Sequence, residues 1–247
     1  MFLNIKRIAT ANIAFIVLCF LTVSQKSFAQ NPIVTENLLP GNLSSEWDIT
    51  GAGDLTIQGF AADLSVDNGT TVDFKINVTD AANFNVKIYR LGYYQGNGAR
   101  LITNLGNFAG NIQPSPITDP STGLVDCGNW SVSVSWAVPA NAVPGIYLAK
   151  LTRNDNNGAS HIAFVVRDDN SNADILFQTS DATWQAYNVY GGNSLYVGST
   201  AYPGGHATKV SYNRPFLTRA GGGGSSSSED WLFHAEYPMI RWLERNG

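Results

Sequence analysis

Two short polar and aromatic segments late in the chain carry the side chains best suited to chemistry. The first spans residues 179–188 and contains Ser180, Asp181 and Tyr187, and the second contains Tyr212. Tyrosinate and carboxylate oxygens are hard ligands, so two tyrosines and a carboxylate can hold a ferric ion that acts as a Lewis acid. A simpler interpretation is that both tyrosines are packing residues whose hydroxyls stay in water. Taken alone, the residue types favour this simpler interpretation.

The elements that would position these residues suggest the start of an α/β domain. Residues 175–178 are predicted to form a short strand, and residues 179–181 are typical of a helix cap. α/β folds place their sites beyond the ends of such strands. Residues 209–212 are predicted to form another short strand.

Other signals for chemistry are weak. The histidines His161, His206 and His234 are scattered, and they form no cluster with the spacing of zinc ligands. His161 lies in an apolar run, which predicts a structural role. Cys127 is the one cysteine after residue 29, so it cannot close a disulfide within the exported part of the chain. We expect it to be a small buried residue.

Residues 30–170 have the pattern of an all-β domain. About seven short alternating segments are separated by Gly, Pro and Asn turns, and no helical period lies between them. This predicts a mainly β fold, specifically an immunoglobulin-like β-sandwich. The strictest alternation predicts four side chains on one face: Trp130, Val132, Val134 and Trp136.

Residues 171–247 have a different character. Residues 236–246 are predicted to form a helix with an apolar stripe made by Met239, Ile240 and Leu243. Such a stripe needs a surface to pack on, and no strand follows it. We therefore expect a fragment, in which the sandwich precedes the beginning of a truncated α/β domain.

The first 29 residues have the features of a cleavable signal peptide. A basic start with Lys6 and Arg7 precedes an apolar run and the small residues Ser27 and Ala29. Removing this segment leaves 15 − 3 = 12 Lys and Arg against 19 Asp and Glu, a net charge of −7. This balance argues against nucleic acid and anionic membrane surfaces as partners. We expect a secreted or periplasmic protein that does not bind a membrane after signal cleavage.

Four longer motifs resemble one protein family. They are similar to the secreted bacterial proteins related to the large (β) subunit of N,N-dimethylformamidase. The resemblance covers nearly all of the exported chain and lies in residues 122–130, 176–188, 209–216 and 230–239.

The resemblance implies hydrolysis of the C–N bond of a small amide at a mononuclear iron. It implies that Tyr187 and Tyr212 are two iron ligands and that a glutamate in a Gly-His-Asp-Glu-Tyr-Trp motif is the third. That motif is absent from this sequence, so we expect the fragment to bind iron poorly and to be inactive alone. Ser180 or Asp181 would orient water or substrate. The partners implied are a small amide substrate and either a second copy of the chain or a small subunit.

A second hypothesis is a non-catalytic extracellular module that binds carbohydrate or another surface. In that case Trp47, Trp130 and Trp136 would form an aromatic platform on the sandwich. A glutamate substituted in the expected third-ligand motif would favour this hypothesis, and an intact motif would favour the enzyme.

Overall fold

The computed structural model describes residues 31–49, 51, 53–217 and 232–247. The predicted signal peptide, residues 1–29, lies outside the described residues. Residues 32–247 cluster into one compact unit. In the described ranges, no helix has the length and apolar character that crossing a bilayer requires.

Most of the regular structure is β, which confirms the predicted mainly β class. The strands are β1 Ile57–Ala61, β2 Ser65–Asp67, β3 Thr71–Val78, β4 Phe84–Leu91, β5 Ala99–Phe108, β6 Ile117–Asp119, β7 Leu124–Asp126, β8 Val134–Ala137, β9 Gly145–Arg153 and β10 Ala159–Arg167. They form a three-stranded sheet in the order β1-β3-β8, a five-stranded sheet in the order β2-β10-β9-β4-β5, and the hairpin β6-β7. The pairing is antiparallel except between β10 and β2.

The helices are short, and in sequence they lie either before β1 or after β10. They are α1 Pro32–Asn37, α2 Ser44–Trp47, α3 Asp181–Tyr187, α4 Leu232–Ala235 and α5 Tyr237–Asn246. Single 3₁₀ turns occur at Tyr94–Gly96, Tyr190–Gly192 and Pro203–Gly205.

The main core lies between the two larger sheets. Strand β3 alternates buried and half-exposed residues along its length, as expected when one face of a strand packs inward. Across the core, the rings of Phe74 and Phe164 have centroids 5.4 Å apart, and those of Trp136 and Phe164 are 6.0 Å apart. The two sheets therefore pack face to face through aromatic and β-branched side chains.

The outer face of the five-stranded sheet is also covered. Tyr89 and Leu91 on β4 are buried in a second cluster with Trp184, Leu232 and Ile240, which come from the later helices. This explains why the last half of β4 is buried on both faces. The segments that carry the candidate site therefore pack directly on the sandwich.

The prediction for residues 130–136 is wrong in part. Only Val134–Ala137 forms a strand. Trp130 lies in a turn and packs with Phe60 and Cys127, and Val132 is exposed. Alternation places side chains on one face only while the chain stays extended, and this chain bends before β8.

The two short strands predicted after residue 170 are absent. Residues 175–178 and 209–212 have no regular structure, and Ile175 and Leu176 are exposed. A strand is stable only when another strand pairs with its backbone, and the described residues offer these segments no such partner. The predicted α/β character is therefore not formed in the part of the chain that the structure describes.

The predicted C-terminal helix is present as α5, but its packing face differs from the prediction. Ile240 is buried in the outer cluster, whereas Met239 is 52% exposed. The buried face combines Ile240 with Glu244, four residues later, and Glu244 forms an ion pair with Arg90 at 2.8 Å. Of the predicted stripe, Ile240 packs on the sandwich.

Candidate functional site

Helix α3 and its N-cap carry three of the four predicted site residues, Ser180, Asp181 and Tyr187. The buried carboxylate of Glu236 is hydrogen-bonded to the first turn of this helix. The backbone N–H of Ser180, at the N-cap, donates to Glu236 Oε1 at 2.7 Å, and the Ser180 hydroxyl donates to the same oxygen. Trp184 Nε1 donates to the Glu236 carboxylate at 2.9 Å. A negative charge at a helix N-terminus is stabilising. The Ser180 hydroxyl is therefore engaged in holding α3 against the segment before α5.

The structure brings Asp181 and Tyr212 together. The Tyr212 hydroxyl donates to Asp181 Oδ2 at 2.7 Å, and Thr179 Oγ1 donates to the other carboxylate oxygen at 2.8 Å. Partial burial, together with the hydrogen bond to the Asp181 carboxylate and its negative charge, raises the pKa of Tyr212 to about 12. Tyr212 is still 46% exposed. It is therefore an accessible neutral phenol whose proton already lies against a carboxylate.

Tyr187 is the last residue of α3. Its ring stacks on that of Tyr196, with centroids 4.4 Å apart and planes 22° apart. Asp181 is six positions earlier, so about 9 Å of helix axis separates Tyr187 from the residue that holds Tyr212. Tyr187 therefore lies at the C-terminal end of α3, whereas Tyr212, in a separate segment, contacts the N-terminal end.

The segment of Tyr212 is docked on the hairpin of the sandwich. Asp126, at the end of β7, accepts hydrogen bonds from Ser211 Oγ at 2.5 Å and Asn213 Nδ2 at 3.4 Å. The backbone N–H of Cys127 donates to Asn213 O at 2.6 Å. Two motifs that are more than 80 residues apart in sequence thus lie against each other.

The prediction that Cys127 is a buried small residue is confirmed. Cys127 is a free, fully buried thiol. Burial raises its pKa to about 12, although a hydrogen bond with Tyr190 acts in the opposite direction. Because the thiolate is the nucleophilic form, this cysteine has no role as a nucleophile at neutral pH.

Sequence reasoning missed Arg214, which is only 1% exposed. Its guanidinium donates to four backbone carbonyls, those of Gln185 at 2.9 Å, Asn193 at 3.0 Å, Ser211 at 3.2 Å and Tyr190 at 3.3 Å. None of the ion pairs among the described residues involves it. Burial lowers its pKa to about 10, so it remains a cation at neutral pH. An arginine inside a polar and aromatic motif was the available sequence signal.

Asn188 is a second buried side chain that sequence reasoning did not assign. It follows Tyr187 directly and is fully buried. Its Nδ2 donates to Pro215 O at 2.9 Å, while its Oδ1 accepts the backbone N–H groups of Leu217 at 3.1 Å and Tyr190 at 3.2 Å. It therefore fastens the end of α3 to the segment that follows Tyr212.

The predicted aromatic platform is wrong. Trp47, Trp130 and Trp136 are all buried, so they present no stacking surface for a sugar. His161 is also buried, and its ring is hydrogen-bonded at Nε2 to Trp47 O at 2.7 Å. The prediction of a structural histidine is confirmed.

The donors around α3 fit ferric iron by their chemistry. Tyr187 and Tyr212 supply phenol oxygens, and the Asp181 carboxylate lies beside the Tyr212 hydroxyl. Such hard oxygen donors suit ferric iron. Among the described residues, no group of three His, Cys, Asp or Glu side chains could hold a metal ion by itself.

The fold and these contacts define a mainly β protein in which a sandwich supports a tyrosine-bearing segment. The model of the family described as N,N-dimethylformamidase beta subunit-like, C-terminal, matches residues 85–247, well over half of the chain. The chain belongs to this family. The match begins inside β4, so the family region includes most of the five-stranded sheet as well as α3 and Tyr212.

No curated protein matches the chain significantly. Among solved structures, a lytic polysaccharide monooxygenase from Streptomyces lividans is 18% identical with a TM-score of 0.26, and the alignment covers 42% of this chain and 58% of that one. A Salmonella alpha-2-macroglobulin is 18% identical with a TM-score of 0.26, and the alignment covers 53% of this chain and 7% of that one. A cellulose-active polysaccharide monooxygenase from M. thermophila is 18% identical with a TM-score of 0.23, and the alignment covers 46% of this chain and 56% of that one. The chain spans less than two thirds of each of these structures, and similarity at this level carries no functional argument.

Proposed function

We propose that this chain is part of an exported, iron-dependent amidohydrolase that cleaves the C–N bond of a small amide. The observation that carries the proposal is the family match, because it spans both Tyr187 and Tyr212. The contact between Tyr212 and Asp181 supports it, since the hydrogen bond to Asp181 Oδ2 at 2.7 Å holds the Tyr212 hydroxyl, one of the proposed ligand oxygens, in a fixed place.

Tyr187 and Tyr212 would hold the iron, and by family resemblance the third ligand is a glutamate in a motif that this sequence does not contain. When bound, iron supplies Lewis-acid chemistry, by polarising an amide carbonyl and by lowering the pKa of water. With its pKa raised to about 12, Tyr212 must lose its proton before its oxygen can act as a phenolate ligand. Asp181 Oδ2 accepts a hydrogen bond from that hydroxyl and so fixes its orientation. In this proposal Ser180 keeps α3 in place through Glu236, and Asp181 also orients water or substrate.

The sandwich is proposed to be immunoglobulin-like and to act as the scaffold of the site. Its two packed sheets and the antiparallel pairs that dominate them support this assignment. The proposed division into residues 30–170 and 171–247 crosses the family region, which begins at residue 85. Residues 171–247 would then belong functionally with β4 to β10.

The setting proposed for this enzyme is the periplasm or the extracellular space. The signal-like first 29 residues and the net charge of −7 that remains without them support this proposal. The proposed partners are a small amide substrate and either a second copy or a small subunit.

The test is ferric iron binding by the chain without residues 1–29. Because two of the three ligands are present, we expect weak binding that acetate, as a substitute carboxylate, strengthens. Binding should produce a tyrosinate-to-iron absorption band in the visible range, and Tyr187→Phe or Tyr212→Phe should each weaken it.

The matched control is Tyr196→Phe. This variant keeps the ring that stacks on Tyr187 and removes only a hydroxyl outside the proposed ligand set, so the band should persist. If ferric iron gives no tyrosinate band at any acetate concentration, the proposed iron site is wrong.

A further inference from the structure

Two buried polar side chains join the helix of Tyr187 to the segment of Tyr212. Arg214 bonds the carbonyl of Gln185, two residues before Tyr187, and the carbonyl of Ser211, which belongs to the peptide bond leading into Tyr212. Its bonds therefore reach the backbone within two residues of each tyrosine.

Asn188 makes the same connection from the other side. It follows Tyr187 directly, and its amide bonds Pro215 O and the N–H of Leu217. These bonds hold the end of α3 against Pro215 and Leu217, which follow Tyr212 by three and five positions.

Arg214 also fixes the ring environment of Tyr187. It donates to Asn193 O at 3.0 Å, and the loop that begins there carries Tyr196, whose ring stacks on Tyr187. One guanidinium thus connects the helix, the stacking loop and the Tyr212 segment.

Arg214 is a buried cation that backbone carbonyl groups hold in place. Burying a cation is costly unless it is paired, and Arg214 is held by carbonyl dipoles, with no ion pair among the described residues. Its planar fork of five N–H groups can hold several carbonyls in one fixed arrangement, which a lysine cannot reproduce.

We propose that Arg214 and Asn188 form a clamp that sets the spacing between Tyr187 and Tyr212, and that both are positioning residues for the iron site. The inference rests on the proposed function, because the spacing matters most when both oxygens must reach one ion. Functional groups of this kind need a geometry held to about 0.5 Å by supporting residues.

The first measurement uses the metal-free chain and does not depend on iron. Hydrogen exchange is followed in peptides that cover residues 181–190 and 209–217. Arg214→Lys should make both peptides exchange at least about tenfold faster, because it removes bonds to a charged donor. Asn188→Ala, which removes the bonds to Pro215, Leu217 and Tyr190 without adding a charge, is the second variant in case Arg214→Lys does not fold.

The matched control is Arg153→Lys. Arg153 is also buried, but it bonds Asp80, Asp155 and Thr56, none of which belongs to α5 or to the tyrosine segments. This variant should lower the overall stability and leave exchange in both peptides unchanged relative to exchange in the sandwich.

The second measurement is ferric titration in the presence of acetate. Arg214→Lys should weaken binding by about 10- to 100-fold, the usual effect of removing a supporting residue of a metal site, and should shift the tyrosinate band. Arg153→Lys should leave the position of the band unchanged.

The outcomes separate the two proposals. Wild-type exchange in both peptides of a folded Arg214→Lys or Asn188→Ala variant overturns the clamp. Faster exchange with unchanged iron affinity and band overturns the positioning role. If the wild-type chain gives no band, the proposed iron site fails, and the exchange measurement alone then decides whether the clamp exists.

Discussion

The strongest stability prediction concerns the ion pair that holds α5 on the sandwich. Glu244 accepts two hydrogen bonds from Arg90, both at 2.8 Å, and a third from Asn37 Nδ2 at 2.5 Å. The Arg90 side chain is completely buried, and that of Glu244 is 10% exposed. Glu244→Gln keeps the volume but removes the charge, so the guanidinium of Arg90 is left without its anion.

The size of the effect follows from this burial. Breaking a buried ion pair by removing one partner costs about 3–5 kcal/mol, because the remaining charge is uncompensated. For a chain of this size, each kcal/mol corresponds to about 2–4 °C in Tm. We therefore expect Glu244→Gln to lower Tm by about 6–20 °C.

Urea unfolding followed by tryptophan fluorescence, together with thermal unfolding, measures this change. The control is Arg167→Gln, which breaks an exposed pair with Asp169 whose side chains are 42% and 54% exposed. Exposed pairs contribute less than about 1 kcal/mol. A Glu244→Gln variant within 1 kcal/mol of the wild type would refute the reasoning that α5 is anchored by this pair.

Three further predictions concern the candidate site and its support. Asp181→Asn keeps an acceptor oxygen but removes the negative charge beside Tyr212, so the pKa of Tyr212 should fall below about 12, while burial, the larger cause, keeps it above its ordinary value; NMR titration of ring-labelled tyrosine measures this, and an unchanged pKa contradicts the contact. Because burial raises the pKa of Cys127 to about 12, a thiol reagent at pH 8 should react with the native chain far more slowly than with the chain in guanidinium; equal rates would show that the thiol is accessible. Asp126→Ala removes the acceptor that docks the Tyr212 segment, so unfolding should cost about 1–3 kcal/mol less and hydrogen exchange should rise in residues 209–216; exchange as in the wild type would mean that other contacts hold this segment.

The sequence predicted the strands of the sandwich well where alternation continues over a whole strand. Residues 72–78 were predicted to alternate, and they lie in β3 with buried and half-exposed positions in turn. This works because alternation is a local property that follows from the geometry of an extended chain. The predictions for residues 175–178 and 209–212 failed, because a strand also needs a partner that the local sequence does not specify.

The sequence also identified the residues proposed for the site, through family motifs. These residues are Tyr187, Tyr212 and Asp181, and the structure places Asp181 against Tyr212. Whether both tyrosines bind iron stays a prediction.

By itself, the sequence determined the mainly β class, the family and the identity of the candidate side chains. Only the tertiary structure decided what holds them, because those contacts join residues far apart in the chain. Ser180 bonds a carboxylate 56 positions away, and Asp126 reaches Ser211 across 85 positions. Periodicity and short motifs describe neighbours along the chain, whereas the buried carboxylate, the hairpin contact and the clamp exist only once the chain has folded back onto the sandwich.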